Sequence, residues 1–269
     1  MLKDITIGQF FPGNSIIHRM DSRVKIVLEL IYVVTLFIAS NFYGLAVAGV
    51  FMLTAFLLSG ISPVMILKSL KPILPIILFT ALLNVLFVKG DTEPLFSFWI
   101  FEIHYEGIEI SLFMIIRIIF LIVGMSLLTY TTSPIVLTDA IESLLSPLKK
   151  IKFPVHELAM MMTIALRFIP TLIEETDKIM MAQKARGANL DSGGLLKRAK
   201  SLVPILIPLF VSAFKRANEL ATAMECRCYK GGDGRTRLRT LKATKLDFCV
   251  TIITLCVTGF VILNNIVFR

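Results

Sequence analysis

Along the chain, runs of apolar residues about as long as a bilayer is thick are separated by short breaks rich in Gly, Asn, Pro or charge. Five runs stand out: Val24 to Ser40, Phe42 to Gly60, Ile73 to Val88, Ile108 to Tyr130 and Phe248 to Phe268. A tight break near Asn41 and Gly44 makes the first two an antiparallel pair, and Pro72 and Pro75 fall in the opening turn of the third. Each predicts a membrane-spanning helix.

Between the fourth and fifth runs the pattern changes to helices that are apolar on one face and interrupted by proline. The first, about Ile135 to Lys149, follows a Ser133-Pro134 start signal, puts Leu137, Ile141, Leu144 and Leu145 on one face, and is expected to lie along the membrane surface. The second runs from Pro154 to Arg186 with Leu158, Met161, Ala165, Phe168, Leu172, Ile179 and Ala182 near one stripe and Pro170 as the candidate site of a bend. At ~1.5 Å per residue it extends on the order of 50 Å, too long for a perpendicular span. The third, Leu195 to Tyr229, passes Pro204 and Pro208 and carries Ala213, Ala217 and Ala221 every four residues. Such spacing suits a close helix crossing, although alanine also serves helix propensity alone.

Composition agrees with lipid as the solvent: 56% of the 269 residues are hydrophobic and only 17% charged, with a mean hydropathy of +0.80. A single core cannot absorb so many apolar side chains, which excludes an ordinary soluble globule. The formal charge of +9 is read by its distribution. Arg19, Arg23 and Lys25 flank the first span, Lys68 and Lys71 lie between the second and third, and residues 132–246 hold most of the excess base. All are therefore assigned to the cytoplasm. The connection from Lys89 to Gly107, with Asp91, Glu93, Glu102, Glu106 and the aromatic Trp99, is assigned outside.

The N-terminus has no cleavable signal pattern, so the first span is expected to do the targeting. The resulting division is a cytoplasmic segment over 1–23, four spans over 24–131, a cytoplasmic module over 132–246 and a last span over 247–269 that ends outside. Cys226, Cys228, Cys249 and Cys256 imply no disulfide framework and read as buried structural residues.

Catalytic patterns are scarce. His156-Glu157 opens a zinc-protease motif, but Met160 stands where the second histidine is needed, and no phosphate-binding glycine loop is present. Cys226-x-Cys228 has no second ligand pair nearby, so no metal site is assigned. Glu29 lies near the end of span one and Arg117 well inside span four; Arg117 reads as an internal hydrogen-bonding anchor in preference to a substrate group. More telling are two arginines where long helices stop: Arg186 in Ala185-Arg186-Gly187 and Arg227 in Cys226-Arg227-Cys228. Each alone suits a helix C-terminus, where cations meet free carbonyls. Together, flanked by small residues, they suit two pegs for a cytoplasmic partner.

These residues carry a resemblance. Gly8-Gln9-Phe10-Phe11-Pro12-Gly13 with His18 to Lys25, the exit Thr131-Thr132-Ser133-Pro134, Arg167-Phe168-Ile169-Pro170 with Ala182 to Ala188, and Ala223 to Tyr229 followed by Gly231-Gly232 and Gly234-Arg235-Thr236 resemble the transmembrane T component of energy-coupling factor transporters, in the form shared by several substrate-binding subunits. The likeness covers the whole chain. It departs where cysteines flank Arg227, the family pattern being Ala-Arg-Gly.

The resemblance implies an all-α polytopic membrane protein with coupling helices, non-catalytic itself, whose Arg186 and Arg227 each dock one of two ABC ATPase subunits that bind ATP and Mg. It further implies one or several small membrane substrate-binding subunits, for vitamin or micronutrient uptake across the bacterial plasma membrane, with no nucleic acid. Gly187 would end the first helix, and Ala213, Ala217 and Ala221 would make the crossing. Met160, Met161, Met162, Met180 and Met181 suit a surface that repacks against different substrate subunits, or serve as ordinary filler. A self-contained secondary transporter is the alternative from another class, and a membrane enzyme the third.

Overall fold

The computed structural model describes residues 10–88, 96–98, 101–188, 194–232 and 242–267. Trp99, Lys89, Asp91 and Glu93 of the predicted outer loop, and Gly8, Gln9, Gly234, Arg235 and Thr236 of the resembling segments, lie outside these residues. The helices are α1 (Ile16–Arg19), α2 (Ser22–Ile38), α3 (Phe42–Ser59), α4 (Pro63–Leu70), α5 (Leu74–Phe87), α6 (Tyr105–Thr131), α7 (Pro134–Leu145), α8 (Val155–Ala185), α9 (Leu195–Cys226) and α10 (Lys245–Val267). Two three-residue strands, β1 (Phe96–Phe98) and β2 (Phe101–Ile103), pair antiparallel between α5 and α6.

Among the described residues four helices are long and apolar enough to cross a membrane, namely α3, α6, α8 and α10, or five spans if the bent pair α4–α5 counts as one. The expected set differs in three places. At 17 residues, α2 is a little shorter than a full span and carries Arg23, Lys25 and Glu29. By contrast α8 contains a stretch long and apolar enough for a span although its ends are charged. The third span also gains a partner: the segment before Pro72 forms α4, and α4 and α5 meet at a 60° bend.

Contacts divide the chain into two compact units. The first holds α1 to α6 with α10. Its core is Tyr32, Leu36, Leu45, Ala48, Met52 and Val123, where α2, α3 and α6 meet. The small residues Ala48 and Gly49 let α6 come close, and a methyl group on Gly49 would overlap the Phe120 ring at 2.3 Å. Leu30, Phe37, Leu57, Phe79, Leu255 and Leu263 point outward, and so much exposed apolar surface requires lipid.

One end of this unit is held by a polar knot. Asp21 caps α2 by accepting from the Arg23 N–H at 2.9 Å, pairs with the Arg23 guanidinium at 2.7 Å, and donates its own N–H to Asp247 at 3.0 Å. Buried Lys25 donates to the Thr131 carbonyl and the Thr132 hydroxyl, and the Phe11 N–H donates to Tyr130. Tyr130 donates to Met65 of α4 and shares a 2.6 Å hydrogen bond with Ser69. The basic N-terminal flank, α4, the exit of α6 and the start of α10 thus share one end. At the other, Asn265 donates to Ile38 and Arg117 to Ala39, whose carbonyls close α2.

The second unit holds α7 from Thr138, α8 and α9. The predicted helix to Lys149 stops sooner: α7 ends at Leu145 and a 3₁₀ turn runs over Ser146–Ile151. Pro147 explains it, because it lacks the N–H that would continue an α-helical ladder. The expectation of buried cysteines is corrected, since Cys226, Cys228, Cys249 and Cys256 are all exposed. On α10 an outward cysteine faces apolar surroundings, so burial in protein has no advantage there.

Candidate functional site

The two arginine ends have the same backbone construction. Arg186 is the C-cap of α8 with φ −82° and ψ 7°, and Arg227 the C-cap of α9 with φ −92° and ψ 12°. After Arg186, the Gly187 N–H donates to Lys184 and the Ala188 N–H to Gln183, both at 3.0 Å. After Arg227, the Cys228 N–H donates to Glu225 at 2.8 Å and the Tyr229 N–H to Met224 at 3.1 Å. Both are Schellman closures, which satisfy the last carbonyls of a helix with a residue in the left-handed region. Gly187 fills that position at φ +85° and Cys228 at φ +55°. The cysteines that replace Ala and Gly therefore preserve the helix-end geometry, at the local cost of a Cβ in left-handed backbone. Ala185, Arg186 and Gly187, and Cys226, Arg227 and Cys228, are all exposed.

Helices α8 and α9 pair antiparallel. Glu175 accepts from the Ser212 hydroxyl and, at 2.9 Å, from the Arg216 guanidinium, while Gln183 donates to the Pro204 carbonyl at 3.4 Å. Eight residues forward on α8 thus match eight back on α9. Continued along the pair, this register brings Arg227 level with Met160. The two arginines therefore stand at opposite ends of the hairpin, on the order of 40 Å apart at ~1.5 Å per residue.

The remaining predicted residues distribute unevenly. Ala213 is partly buried, whereas Ala217 and Ala221 are exposed, and the polar contacts between the helices come from Ser212 and Arg216 beside them. Met160 and Met180 are partly buried; Met161, Met162 and Met181 are exposed. A further surface escaped the sequence reading. Val203, Ile207, Phe210 and Phe214 are all exposed on α9, spaced by four, three and four residues. That interval is the signal of a helix face made for another helix, and it was legible in the sequence. Pro204 and Pro208 lie within the same stretch of α9.

Arg117, in the middle of α6, donates to the Ala39 carbonyl at 2.5 Å and lies 4.6 Å from the Phe113 ring centre. It holds the end of α2, where a backbone carbonyl in an apolar setting needs a donor. Among the described residues no three His, Cys, Asp or Glu side chains are grouped to hold a metal ion.

Fold and site together define a polytopic, mainly helical membrane protein whose charged hairpin presents two exposed arginine ends. Residues 13–238 match the family model CbiQ, described as cobalt transport protein. The chain is 55% identical over 266 residues to a Clostridium kluyveri protein, covering 99% of this chain and 98% of that one. It is 53% identical to one from Ruminiclostridium cellulolyticum, covering 100% of each, and 47% identical to one from Bacillus subtilis, covering 94% and 95%. All three relatives bear the name energy-coupling factor transporter transmembrane protein EcfT. The chain belongs to this family, the transmembrane components of energy-coupling factor transporters.

Proposed function

We propose that the chain is a non-catalytic scaffold that couples two ABC ATPase subunits, which bind ATP and Mg, to one or several small membrane substrate-binding subunits for uptake of a vitamin or other micronutrient. The single observation that carries this reading is the matched pair of helix ends: Arg186 and Arg227 share one cap geometry, both are exposed, and the hairpin sets them far apart. Two like grooves on two like subunits are what two like pegs fit. A guanidinium on a rigid helix end offers the bidentate, orientation-specific contact that transmits motion better than a flexible ammonium.

The end of the membrane unit that gathers Arg19, Arg23, Lys25, Lys68 and Lys71 is assigned to the cytoplasm by its basic excess, which puts the end of α10 outside. The exposed stripe Val203, Ile207, Phe210 and Phe214, with Met181 on the neighbouring stretch of α8, is the face for the substrate-binding subunit. A cavity of about 270 Å³ in the membrane unit is walled by residues such as Leu28, Met52, Leu58 and Leu127 beside Lys25 and Glu29. Such a wall suits a polar micronutrient poorly, which supports assigning substrate binding to another subunit.

The test is charge reversal. Arg186→Glu with Arg227→Glu is expected to abolish ATP-driven uptake and ATPase co-purification while the chain still inserts in the membrane. Unchanged uptake in the double variant overturns the docking role. Uptake by the purified chain alone in vesicles would instead establish a self-contained transporter.

A further inference from the structure

The chain that leaves α9 after Arg227 does not run free. At Gly231, φ +90° turns it, and Gly232 then lies on the imidazole of His156 in the first turn of α8. A Cβ built on Gly232 would sit 2.6 Å from His156 Cδ2, 2.7 Å from Cγ and 3.0 Å from Cβ. These atoms are the root of the ring, and Cβ is fixed by the backbone, so a rotation of the ring cannot clear all three. The ring is itself held, because Nδ1 lies 3.1 Å from Glu142 Oε1 of α7. His156 thus joins three elements: α7 through the carboxylate, α8 through its own backbone and the exit of α9 through Gly232. The first end differs, for a methyl added at Gly187 meets nothing within 4 Å.

We infer that His156 is a positioning residue for the Arg227 end, bracing the exit of α9 against α7 and the start of α8 through its contact with Gly232. The inference rests on the docking role of Arg227 proposed above. Four residues separate Arg227 from Gly232, and both ends of that stretch are fixed, one by the Schellman closure and one by the imidazole. A force applied at Arg227 therefore passes to α7 and α8 directly as well as along α9. The two glycines have separate jobs: Gly231 supplies left-handed backbone and Gly232 the absence of a side chain.

The experiment measures ATPase retained by the tagged chain, and ATP-driven uptake, in the assembled transporter. Overpacking at a tight contact predicts that Gly232→Ala lowers both about tenfold at equal membrane content. His156→Ala alone, which removes the brace, is expected to lower both to a similar extent, and Gly232→Ala with His156→Ala no further than either single change, because the two act on one contact. Independent structural losses at the two sites would add instead. An unaffected Gly232→Ala or His156→Ala variant, or losses that add in the double variant, overturns the bracing role. Arg227→Glu alone is the control: if it leaves ATPase retention intact, the docking reading fails, and the bracing role falls with it.

Discussion

Cys228 occupies backbone that favours glycine, so Cys228→Gly is expected to stabilise the last turn of α9 by about 1 kcal/mol. Amide exchange there should slow roughly fivefold; an unchanged rate would show that the cap carries no strain. Gly187→Ala should have the opposite effect at the end of α8, since its φ of +85° admits no side chain cheaply. At Arg117, removal of the donor strands the Ala39 carbonyl in apolar surroundings, and Arg117→Met should destabilise the purified protein by about 1–3 kcal/mol. A thermal midpoint equal to that of the parent would contradict the anchoring role. Burial alone would raise the Asp21 carboxyl, but the Arg23 side-chain and backbone hydrogen bonds and the charges of Arg23 and Lys25 outweigh it and hold it below its ordinary value. A carboxylate favoured by folding contributes stability that is present above its unfolded value and lost as pH falls through the folded one. Asp21→Asn should therefore lessen the acid limb of a stability profile and leave neutral pH the less stable.

At the scale of elements, the antiparallel register of α8 and α9 is directly testable. In a chain freed of its four native cysteines, Glu175→Cys with Ser212→Cys should cross-link, whereas Arg186→Cys with Arg227→Cys should not. Cross-linking of the second pair would mean that the helices are not arranged as described. The helices themselves were readable because their apolar spacing, their glycines and their prolines are local signals. Both arginine ends could be picked out for the same reason. The features left out of that reading have separate reasons, and only one of them depends on a neighbour. The stop of α7 at Leu145 is set by Pro147, and α4, a largely apolar segment marked by Lys68 and Lys71 at its end, is held where Ser69 and the Met65 carbonyl bond to Tyr130. The exposed stripe on α9 was written in its spacing but lay under two prolines that the helix passes through.

For the molecule as a whole, apolar excess and the placement of Lys and Arg determine by themselves that the chain lives in a bilayer and which of its ends is basic. These are sums over many residues, so no single contact can reverse them. The sequence by itself also determines where the long helices stop, because helix closure is settled within a few residues by glycine, proline and the last carbonyls. Only the tertiary structure decides which distant segments meet. It brings Asp21 to Asp247 and Lys25 to Thr131, joining three stretches that the sequence keeps far apart. It likewise places Gly232 on His156 and puts the two arginines at opposite ends of one hairpin. Such pairings are selected by long-range packing and by the need to satisfy buried polar groups away from water, and neither is encoded in local spacing.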